Sequence, residues 1–346
     1  MRDAMNAASP DRNRGRRRPA WPVLLIHNLD AAWTEAEIAV ALDEVRTLET
    51  ALKAQGHPVA NLAVRDGDLK RLLEPFDPGA WVVFNNCEGL PGIPGSEARV
   101  IGLLDEMGFA YTGASAAAMD LAWDKPRVKR LLDEHGLPTP RWRLCDTPDP
   151  AGWRIFPAIV KPAREHCSLG VTTDAVATEP GELAARIAFI LDSYRQPALV
   201  EDFIDGREFH VSVWGDGEML PPAEMDFAAF AEVKDRLCTY ESKFQPGSRH
   251  YDGIGLKLPA DLSSAEYGAL RRTVVEGYRV VGCRDYARLD LRLRDGVFYI
   301  LDINPNPDIS SETSMACAAE VAGFSYGAML SRIVNFAARR HPVFGA

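Results

Sequence analysis

Two carboxylates, one amide and one guanidinium occur at short spacing near the carboxyl end of the chain. They are Arg288 and Asp290 in the segment ARLDLRLR, and Asp302 and Asn304 in the segment VFYILDIN. Carboxylate and amide oxygens are ligands that Mg²⁺ prefers in proteins. A guanidinium beside them can hold a phosphate or an oxyanion. The combination therefore indicates a magnesium site next to a group that binds phosphate or an oxyanion.

The segment that carries these residues predicts two neighbouring strands joined by a tight turn. In ARLDLRLRDGVFYILDIN, polar and apolar residues alternate with a period of two. Arg288 and Asp290 therefore share one face of the first strand, and Asp302 and Asn304 share one face of the second. The Asp295-Gly296 pair between them is typical of a hairpin turn.

The length of the turn decides whether the two polar faces coincide. A two-residue loop sets Asp302 opposite Leu289, on the wrong face of the hairpin. A three-residue loop from Arg294 to Gly296, with Gly296 in the left-handed conformation, places Arg288 opposite Asp302. We predict the three-residue loop, because it gathers the oxygen ligands on one surface.

Charged residues in a strand more often form a solvated outer face than a binding site. Here the hairpin leaves through Asn304-Pro305-Asn306-Pro307, which makes a stiff loop at the same end as the polar residues. That loop favours the binding site over the solvated face.

Length and composition are those of an ordinary globular protein. The chain has 346 residues, of which 47% are apolar and 25% are charged, and it is long enough for two or three packed units. The net charge of −10 argues against a nucleic-acid partner. No run of about eighteen apolar residues occurs, so no membrane partner is expected.

The cysteines are scattered without the paired spacing of a zinc site or a disulfide framework. They are Cys87, Cys145, Cys167, Cys238, Cys283 and Cys317. Reduced thiols predict a cytoplasmic protein. The arginine-rich residues 1–20 lack periodicity and are predicted to be a disordered tail, and no apolar segment of signal length follows them.

After the tail, strand and helix patterns alternate, which predicts an open α/β layer. Residues 35–55 predict a helix that ends at Gly56, between apolar strands at 21–26 and 59–64. A third strand ends in Asn85-Asn86-Cys87-Glu88-Gly89. Ligands bind at the carboxyl ends of strands in such sheets, so Asn85 and Glu88 are candidate substrate contacts. Capping of the turn is an equally good explanation of both.

Two lysines mark the next part of the chain. Ser115 can cap a helix, and Lys125 lies in the helical stretch that follows. Lys161 ends the apolar strand 158–160, where a lysine can meet a polyphosphate as a point charge. Taken alone, Lys125 would be an ordinary surface lysine of a helix.

Several segments in a fixed order resemble one family of enzymes. They are WDKPRVKRLLDEHGLPTP, PAIVKPAREHCSLGV, VEDFIDGREFHV, YESKF and GCRDYARLDLRLRDGVFYILDINPNPDIS, within about residues 80–335. This set resembles the ATP-grasp ligases, and more narrowly the D-alanine-D-alanine ligase-like enzymes. The resemblance implies an α+β ATP-grasp fold, in which an N-terminal parallel α/β domain (21–112) precedes a central lobe (113–204) and a C-terminal lobe (205–346) that clasp ATP. A homodimer is common among such relatives.

The resemblance also assigns nucleotide-binding roles. Lys125 and Lys161 would hold ATP phosphates, and Lys243 would neutralise the terminal phosphate. The loop 164–170, which includes Ser168, would cover the phosphates. The adenine and ribose contacts that the resemblance implies are Glu201, Asp202 and Ile204 in the hinge, and Glu208 at the ribose hydroxyls.

Departures from the family pattern occur in the phosphate-covering loop. His166 and Cys167 stand where relatives usually have glycine and serine, and Phe244 stands where they have a tyrosine that contacts that serine. Both ends of one family contact have therefore changed together. We expect the loop to close by other contacts.

The family resemblance implies a reaction in two steps. Mg²⁺, with Mn²⁺ as the second choice, would be held by Asp290, Asp302 and Asn304 while a substrate carboxylate attacks the terminal phosphorus. An amine would then displace phosphate from the acyl phosphate, with Arg288 and Lys243 as catalytic groups. Relatives commonly use glutamate where this chain has the shorter Asp302.

We predict small-molecule substrates that differ from those of the namesake enzymes: a carboxylate, such as an amino acid or a specialised metabolite, and an amine. Asp308 stands where D-alanine-D-alanine ligases place a glycine, and Thr313 lies near their site for the second carboxylate. A negative Asp308 would repel a carboxylate-bearing acceptor and attract a cationic amine. D-alanine-D-alanine ligation is the alternative, followed by phosphoryl transfer on the same scaffold and by a non-catalytic nucleotide-binding module.

Overall fold

The computed structural model describes residues 20–166 and 168–345. The predicted disordered tail, apart from its last residue, and Cys167 lie outside the described residues. The side chain of Phe244 is likewise outside the description.

The N-terminal part is an open parallel sheet, as predicted. Its elements are β1 (Val23–Asn28), α1 (Glu35–Ala54), β2 (Val59–Val64), α2 (Leu69–Leu73), β3 (Val82–Asn86), α3 (Glu97–Glu106) and β4 (Ala110–Tyr111), in the strand order β2-β1-β3-β4. Helix α1 begins at a capping box between Thr34 and Glu37. It ends before Gly56, whose φ of +91° suits glycine.

A second, antiparallel sheet follows. Its region contains α4 (Ala116–Ala122), α5 (Lys125–Glu134), β5 (Trp142–Cys145), β6 (Ala158–Pro162), β7 (Val176–Ala177), α6 (Pro180–Ser193) and β8 (Ala198–Asp202). The strand order is β5-β8-β6-β7. Ser115 caps α4 as predicted, and Asp124 caps α5, so Lys125 is the first residue of that helix.

The third part is a six-stranded antiparallel sheet with its associated helices. Its elements are β9 (Arg207–Trp214), β10 (Glu218–Met219), β11 (Ala223–Asp226), α7 (Tyr240–Phe244), α8 (Arg249–Gly253), β12 (Gly255–Lys257), α9 (Ser264–Val280), β13 (Tyr286–Arg294), β14 (Val297–Asn304), α10 (Ser314–Val321) and α11 (Tyr326–Arg340). The strand order is β12-β11-β9-β13-β14, and β10 pairs with β9. Helix α9 packs against β14 and β13.

The predicted three-residue turn between β13 and β14 is wrong. Arg294 pairs with Val297, so the loop is the two residues Asp295 and Gly296, both with positive φ (53° and 77°). Two positive φ values are the geometry of the tight hairpin turn that matches strand twist. Asp302 nevertheless reaches the predicted face, because a β-bulge between the turn and the site absorbs one residue of β14.

The bulge places Asp290 opposite Asp302 and Arg288 opposite Asn304. The prediction that Arg288 lies opposite Asp302 is therefore also wrong. Leu291 pairs with Ile300, so Leu301 is the extra residue of the bulge. Core residues lie on both sides of it, namely Leu289, Leu291, Phe298, Ile300 and Ile303.

The carboxyl-terminal helix returns to the N-terminal sheet. Residues of α11 share one buried cluster with β1, β3 and α1, and they include Met329, Leu330, Ile333 and Val334. The division of the chain into three sequential domains stays a prediction, since this helix follows the third sheet in the sequence but packs on the N-terminal sheet as well.

None of the helices in residues 20–166 and 168–345 has both the length and the apolar character required to cross a bilayer.

Candidate active site

A cleft lies between the second and third sheets. Most of the predicted nucleotide and metal residues line it, namely Lys125, Lys161, Ser168, Glu201, Asp202, Ile204, Glu208, Lys243, Asp290 and Asp302. Arg288 and Asn304 lie beside these residues, in contact with Asp290. The tertiary structure thus brings together groups separated by more than one hundred and seventy residues.

Asp290 and Asp302 are neighbours across the hairpin. Arg288 holds Asp290 with two hydrogen bonds, from Nε to Oδ1 at 2.7 Å and from one terminal nitrogen to Oδ2 at 2.9 Å. The Asn304 amide nitrogen lies 3.4 Å from Asp290 Oδ2. Burial raises the pKa of Asp290, but the positive charge of Arg288 outweighs it and the pKa lies below its usual value.

Asp302 is held in its charged form by lysines. Its Oδ2 lies 3.5 Å from Nζ of Lys125, and its Oδ1 accepts a hydrogen bond from the backbone of Ile303. Burial opposes ionisation of Asp302, but the charges of Lys125 and Lys161 hold its pKa well below the usual range. Two ionised carboxylates therefore face the cleft at neutral pH.

A buried ion triad lies behind these carboxylates. Glu201 forms ion pairs with two lysines: its Oε1 lies 2.6 Å from Nζ of Lys129, and its Oε2 lies 2.6 Å from Nζ of Lys161. The side chain of Glu201 is only 1% exposed, and that of Lys129 is 3% exposed. The Glu201 carboxylate therefore positions Lys161. A contact of Glu201 with adenine stays a prediction, and it would use the backbone of this residue.

Lys129 was missed by the sequence analysis, although it carries a usable signal. It lies four residues after Lys125, on the same face of α5. Its Nζ also donates to the carbonyl oxygens of Ile300 and Leu301, both at 3.2 Å, and so holds the bulge.

Arg292 is a second missed residue. It is 2% exposed, donates to Glu208 Oε2 at 2.7 Å and to the carbonyl of Ile204 at 2.9 Å, and lies over the ring of Phe203. It thereby fixes both the hinge and Glu208. Arg292 lies two residues after Asp290 in a predicted strand, so the alternation of side chains places both on the same face. This spacing was the sequence signal that could have identified Arg292.

The phosphate-covering loop is held by Lys243. Its Nζ donates to Ser168 Oγ at 2.9 Å, which supplies a loop contact other than the family's serine and tyrosine pair. The ring of His166 packs at a tilt against that of Trp123, with centroids 4.2 Å apart and an interplanar angle of 55°. Burial, followed by the charge of Lys125, lowers the pKa of His166 to about 4, so this side chain is neutral near pH 7.

The predicted substrate residues are not all brought together. The side-chain oxygen of Asn85 accepts a hydrogen bond from the backbone N–H of Cys87 at 3.2 Å. This contact agrees with the alternative prediction that Asn85 caps the turn. Thr313 is the N-cap residue of α10, and its hydroxyl donates to the carbonyl of Ser310 at 2.9 Å. Asp308 lines a second cavity, between α1 and the segment after β14.

Acidic groups surround this second cavity. Asp43, Glu44, Asp308 and Glu312 line it, and its one lining arginine, Arg46, is paired with Asp43 at 3.1 Å. Removal of the Glu88 carboxyl group from water, followed by the charge of Asp308, raises the pKa of Glu88. Burial and the same Asp308 raise the pKa of Glu44.

Known proteins resemble the chain over most of its length. The family described as "D-ala D-ala ligase C-terminus" matches residues 146–335. A D-alanine-D-alanine ligase of Syntrophotalea carbinolica is 33% identical over 315 residues, covering 88% of this chain and 93% of that protein. An uncharacterized protein, y4sG, of Sinorhizobium fredii is 34% identical over 323 residues, covering 89% and 90%.

The fold is also found among solved structures. The D-alanine-D-alanine ligase of Bacillus anthracis, crystallised with ATP, superposes with a TM-score of 0.71 at 20% identity, covering 93% of this chain and 99% of that one. The fold and cleft are those of an ATP-grasp protein, in the class of ATP-dependent carboxylate-amine ligases. The chain belongs to the D-alanine-D-alanine ligase family.

Proposed function

We propose that this protein uses ATP and Mg²⁺ to join a small carboxylate to a cationic amine through an acyl phosphate. The observation that carries the proposal is the pair Asp290 and Asp302, both ionised and facing the same cleft as Lys125, Lys161 and Lys243. Carboxylates for a divalent cation and lysines for a polyphosphate are the two requirements of phosphoryl transfer.

The donor atoms of the site fit Mg²⁺. Asp290 and Asp302 offer carboxylate oxygens, and Asn304, within 3.4 Å of Asp290, offers an amide oxygen once its side chain is turned. These three residues would hold the metal ion, with Mn²⁺ as an alternative occupant. When bound, the ion would neutralise charge on the ATP phosphates.

The residues of the chain then have separate tasks. Lys161 and Lys243 attract the phosphate oxygens while a substrate carboxylate oxygen bonds to the terminal phosphorus and ADP leaves. The ammonium group of the acceptor first loses a proton to solvent; the neutral nitrogen then bonds to the acyl carbon and loses a second proton as phosphate departs. Arg288 would stabilise the negative oxygen of the tetrahedral intermediate. The products are an amide, ADP and phosphate.

The acceptor proposal rests on the second cavity. Its lining combines four carboxylates with one arginine that is already paired. A carboxylate-bearing amine such as D-alanine would bring a like charge close to Asp308, whereas an amine with no carboxylate would be attracted. Asp308 and Glu88 are the contacts that we propose for this amine.

D-alanine-D-alanine ligation is the second candidate, and the relatives with that name favour it. Phosphoryl transfer without ligation would leave a stable phosphorylated product. We further propose that the protein forms a homodimer. We also propose a cytoplasmic location, which is supported by the free thiols of the five described cysteines.

The proposal is tested by ADP release over pooled carboxylates and amines, followed by mass spectrometry of the product. An amide of a cationic amine supports it, D-alanyl-D-alanine supports the second candidate, and a phosphorylated product identifies a phosphotransferase. Loss of ADP formation in Asp302→Ala is expected. Asp226→Ala, in the same sheet but paired with Lys257 outside the cleft, is the control. Normal turnover in Asp302→Ala would refute the metal assignment.

A further inference from the structure

Three side chains of the cleft form a cluster that has no joint role in the proposed reaction. Glu208, His210 and Cys238 each offer one ligand atom, and these atoms all lie within 4.8 Å of one another. Glu208 and His210 are two residues apart on β9 and share a face. Cys238 approaches from the segment that precedes α7.

All three residues line the same cleft as Lys161 and Asp302. Glu208 is 4% exposed and His210 is 7% exposed. Glu208 Oε1 lies 3.4 Å from His210 Nε2, while Arg292 holds the other oxygen, Oε2, at 2.7 Å. The carboxylate is therefore fixed with one oxygen directed toward the imidazole.

We propose that Glu208, His210 and Cys238 bind a thiophilic divalent cation such as Zn²⁺ inside the nucleotide cleft, so that this cation and the nucleotide exclude each other.

The ligand types separate this site from the magnesium site. Thiolate and imidazole select Zn²⁺ and its neighbours in the transition series, whereas Mg²⁺ prefers oxygen ligands. Ligands around tetrahedral zinc are about 3.3–3.8 Å apart, given bonds of about 2.0–2.3 Å. Since the ligand atoms lie within 4.8 Å of one another, the cluster needs a contraction of at most roughly 1 Å, within the reach of side-chain rotation.

Three protein ligands leave a fourth position open toward the cleft, as in zinc sites that exchange a water. Asp290 Oδ1 lies 4.0 Å from His210 Nε2, so Asp290 or a water could occupy that position. On binding, the Cys238 sulfur loses its proton to solvent and bonds to the cation, with no change in oxidation state. Burial raises the pKa of this thiol in the free protein, so proton release should accompany binding near pH 7.

The mutual exclusion of cation and nucleotide rests on the proposed function. Glu208 is the residue that the family resemblance places at the ribose, and it cannot serve the ribose and the cation in one arrangement. The metal-binding half stands independently, because it needs only the three ligands.

Co²⁺ is the probe for the metal site, since a cobalt-thiolate bond gives a charge-transfer band in the near ultraviolet. The full-length protein should show this band on titration and lose it when Zn²⁺ is added. Cys238→Ser should abolish the band, and His210→Asn should weaken Co²⁺ binding at least about tenfold. The control is Cys283→Ser, a buried thiol at the start of the segment leading to β13, which should leave the band unchanged.

A band that persists in Cys238→Ser, or that disappears in Cys283→Ser, would overturn the site. Circular dichroism of each variant distinguishes loss of a ligand from loss of folding. If Cys238→Ser fails to fold, His210→Asn decides the question, and Co²⁺ binding of unchanged strength in that variant overturns the site.

Mutual exclusion of the cation and the nucleotide is tested by adding ADP to the Co²⁺-loaded protein. Mg²⁺ is present in excess, so that the phosphates of ADP carry Mg²⁺ and do not remove Co²⁺ from solution. ADP binding should weaken Co²⁺ binding in proportion to site occupancy. ADP that binds without affecting the cobalt band would overturn exclusion. A protein that shows the band but binds no nucleotide supports the metal site and contradicts the proposed function, so the two failures are distinguishable.

Discussion

Burial distinguishes two ion pairs of this protein that have the same length. Nζ of Lys161 and Nζ of Lys234 each lie 2.6 Å from a glutamate oxygen, of Glu201 and Glu182 respectively. The Glu201 side chain is 1% exposed, whereas that of Glu182 is 38% exposed. If its partner is removed, a charge of the exposed pair Lys234–Glu182 is still solvated by water, whereas a charge of the buried pair Lys161–Glu201 is not. Only the buried pair is therefore costly to break.

Glu201→Gln should lower the free energy of unfolding by about 3–5 kcal/mol, because it leaves the buried Lys129 and Lys161 without their counter-charge. The matched change Glu182→Gln should cost less than about 1 kcal/mol. Urea denaturation measures both. Equal losses in the two variants would contradict the role of burial.

Glu97 is a carboxylate whose surroundings favour the neutral form. Burial, partly offset by a hydrogen bond from Trp123 Nε1 at 3.0 Å and reinforced by Glu88, raises its pKa to about 7. The folded protein therefore binds more protons than the unfolded chain between about pH 4.5 and pH 7. This contribution to stability is complete below that window and is lost as pH rises through it.

Glu97→Gln should remove this pH dependence, since the amide stays neutral and keeps an acceptor for Trp123. At pH 8 the variant should be more stable than the parent by about 1–3 kcal/mol, and near pH 4.5 the two should be similar. Thermal unfolding across this range is the measurement. A difference that grows as pH falls would show that the sign is reversed.

At the scale of elements, two glycines isolate the effect of backbone conformation. Gly102 lies inside α3, and Gly296 occupies the second position of the turn between β13 and β14 with φ of +77°. A Cβ added at either position meets no other atom within 4 Å. Packing therefore does not distinguish them.

Gly102→Ala should stabilise the protein by about 0.5–1 kcal/mol, because alanine loses less conformational entropy in a helix. Gly296→Ala should destabilise it by about 1–2 kcal/mol, because alanine is strained at positive φ. Paired denaturation curves at one pH give both values. Shifts of the same sign would refute this assignment of the turn.

At the scale of the whole molecule, the last helix joins the first sheet to the third. Arg340 of α11 forms an ion pair with Asp285, which precedes β13, and donates to the carbonyl of Tyr111 in β4 at 2.8 Å. Asp285 also accepts from the backbone N–H of Gly113 at 2.8 Å. Asp285 is 3% exposed, so this junction is held by a buried charge.

Arg340→Met should therefore reduce the free energy of unfolding by about 2–4 kcal/mol, because Asp285 loses its charged partner. Arg339→Met, at the exposed neighbouring position, should change it by less than about 0.5 kcal/mol. Urea titration followed by tryptophan fluorescence compares the two. Losses of equal size would show that the junction does not depend on the ion pair.

The sequence by itself determined the types of element and the faces of the site residues. Strand periodicity put Arg288 and Asp290 on one face, and cap residues such as Ser115 and glycines such as Gly56 marked helix ends, because these signals depend on neighbouring residues only. The family resemblance added the residues of the cleft, and ten of them line it. Their roles remain predictions.

Only the tertiary structure decided how the hairpin is paired and which charges are shared. The bulge at Leu301 is held by Lys129, and Thr139 donates to Ile300 across the same edge at 2.9 Å. Glu201 likewise obtains its two lysines from α5 and β6. These contacts join residues that are distant along the chain, so they depend on how the sheets pack, and no local pattern of residues encodes that packing.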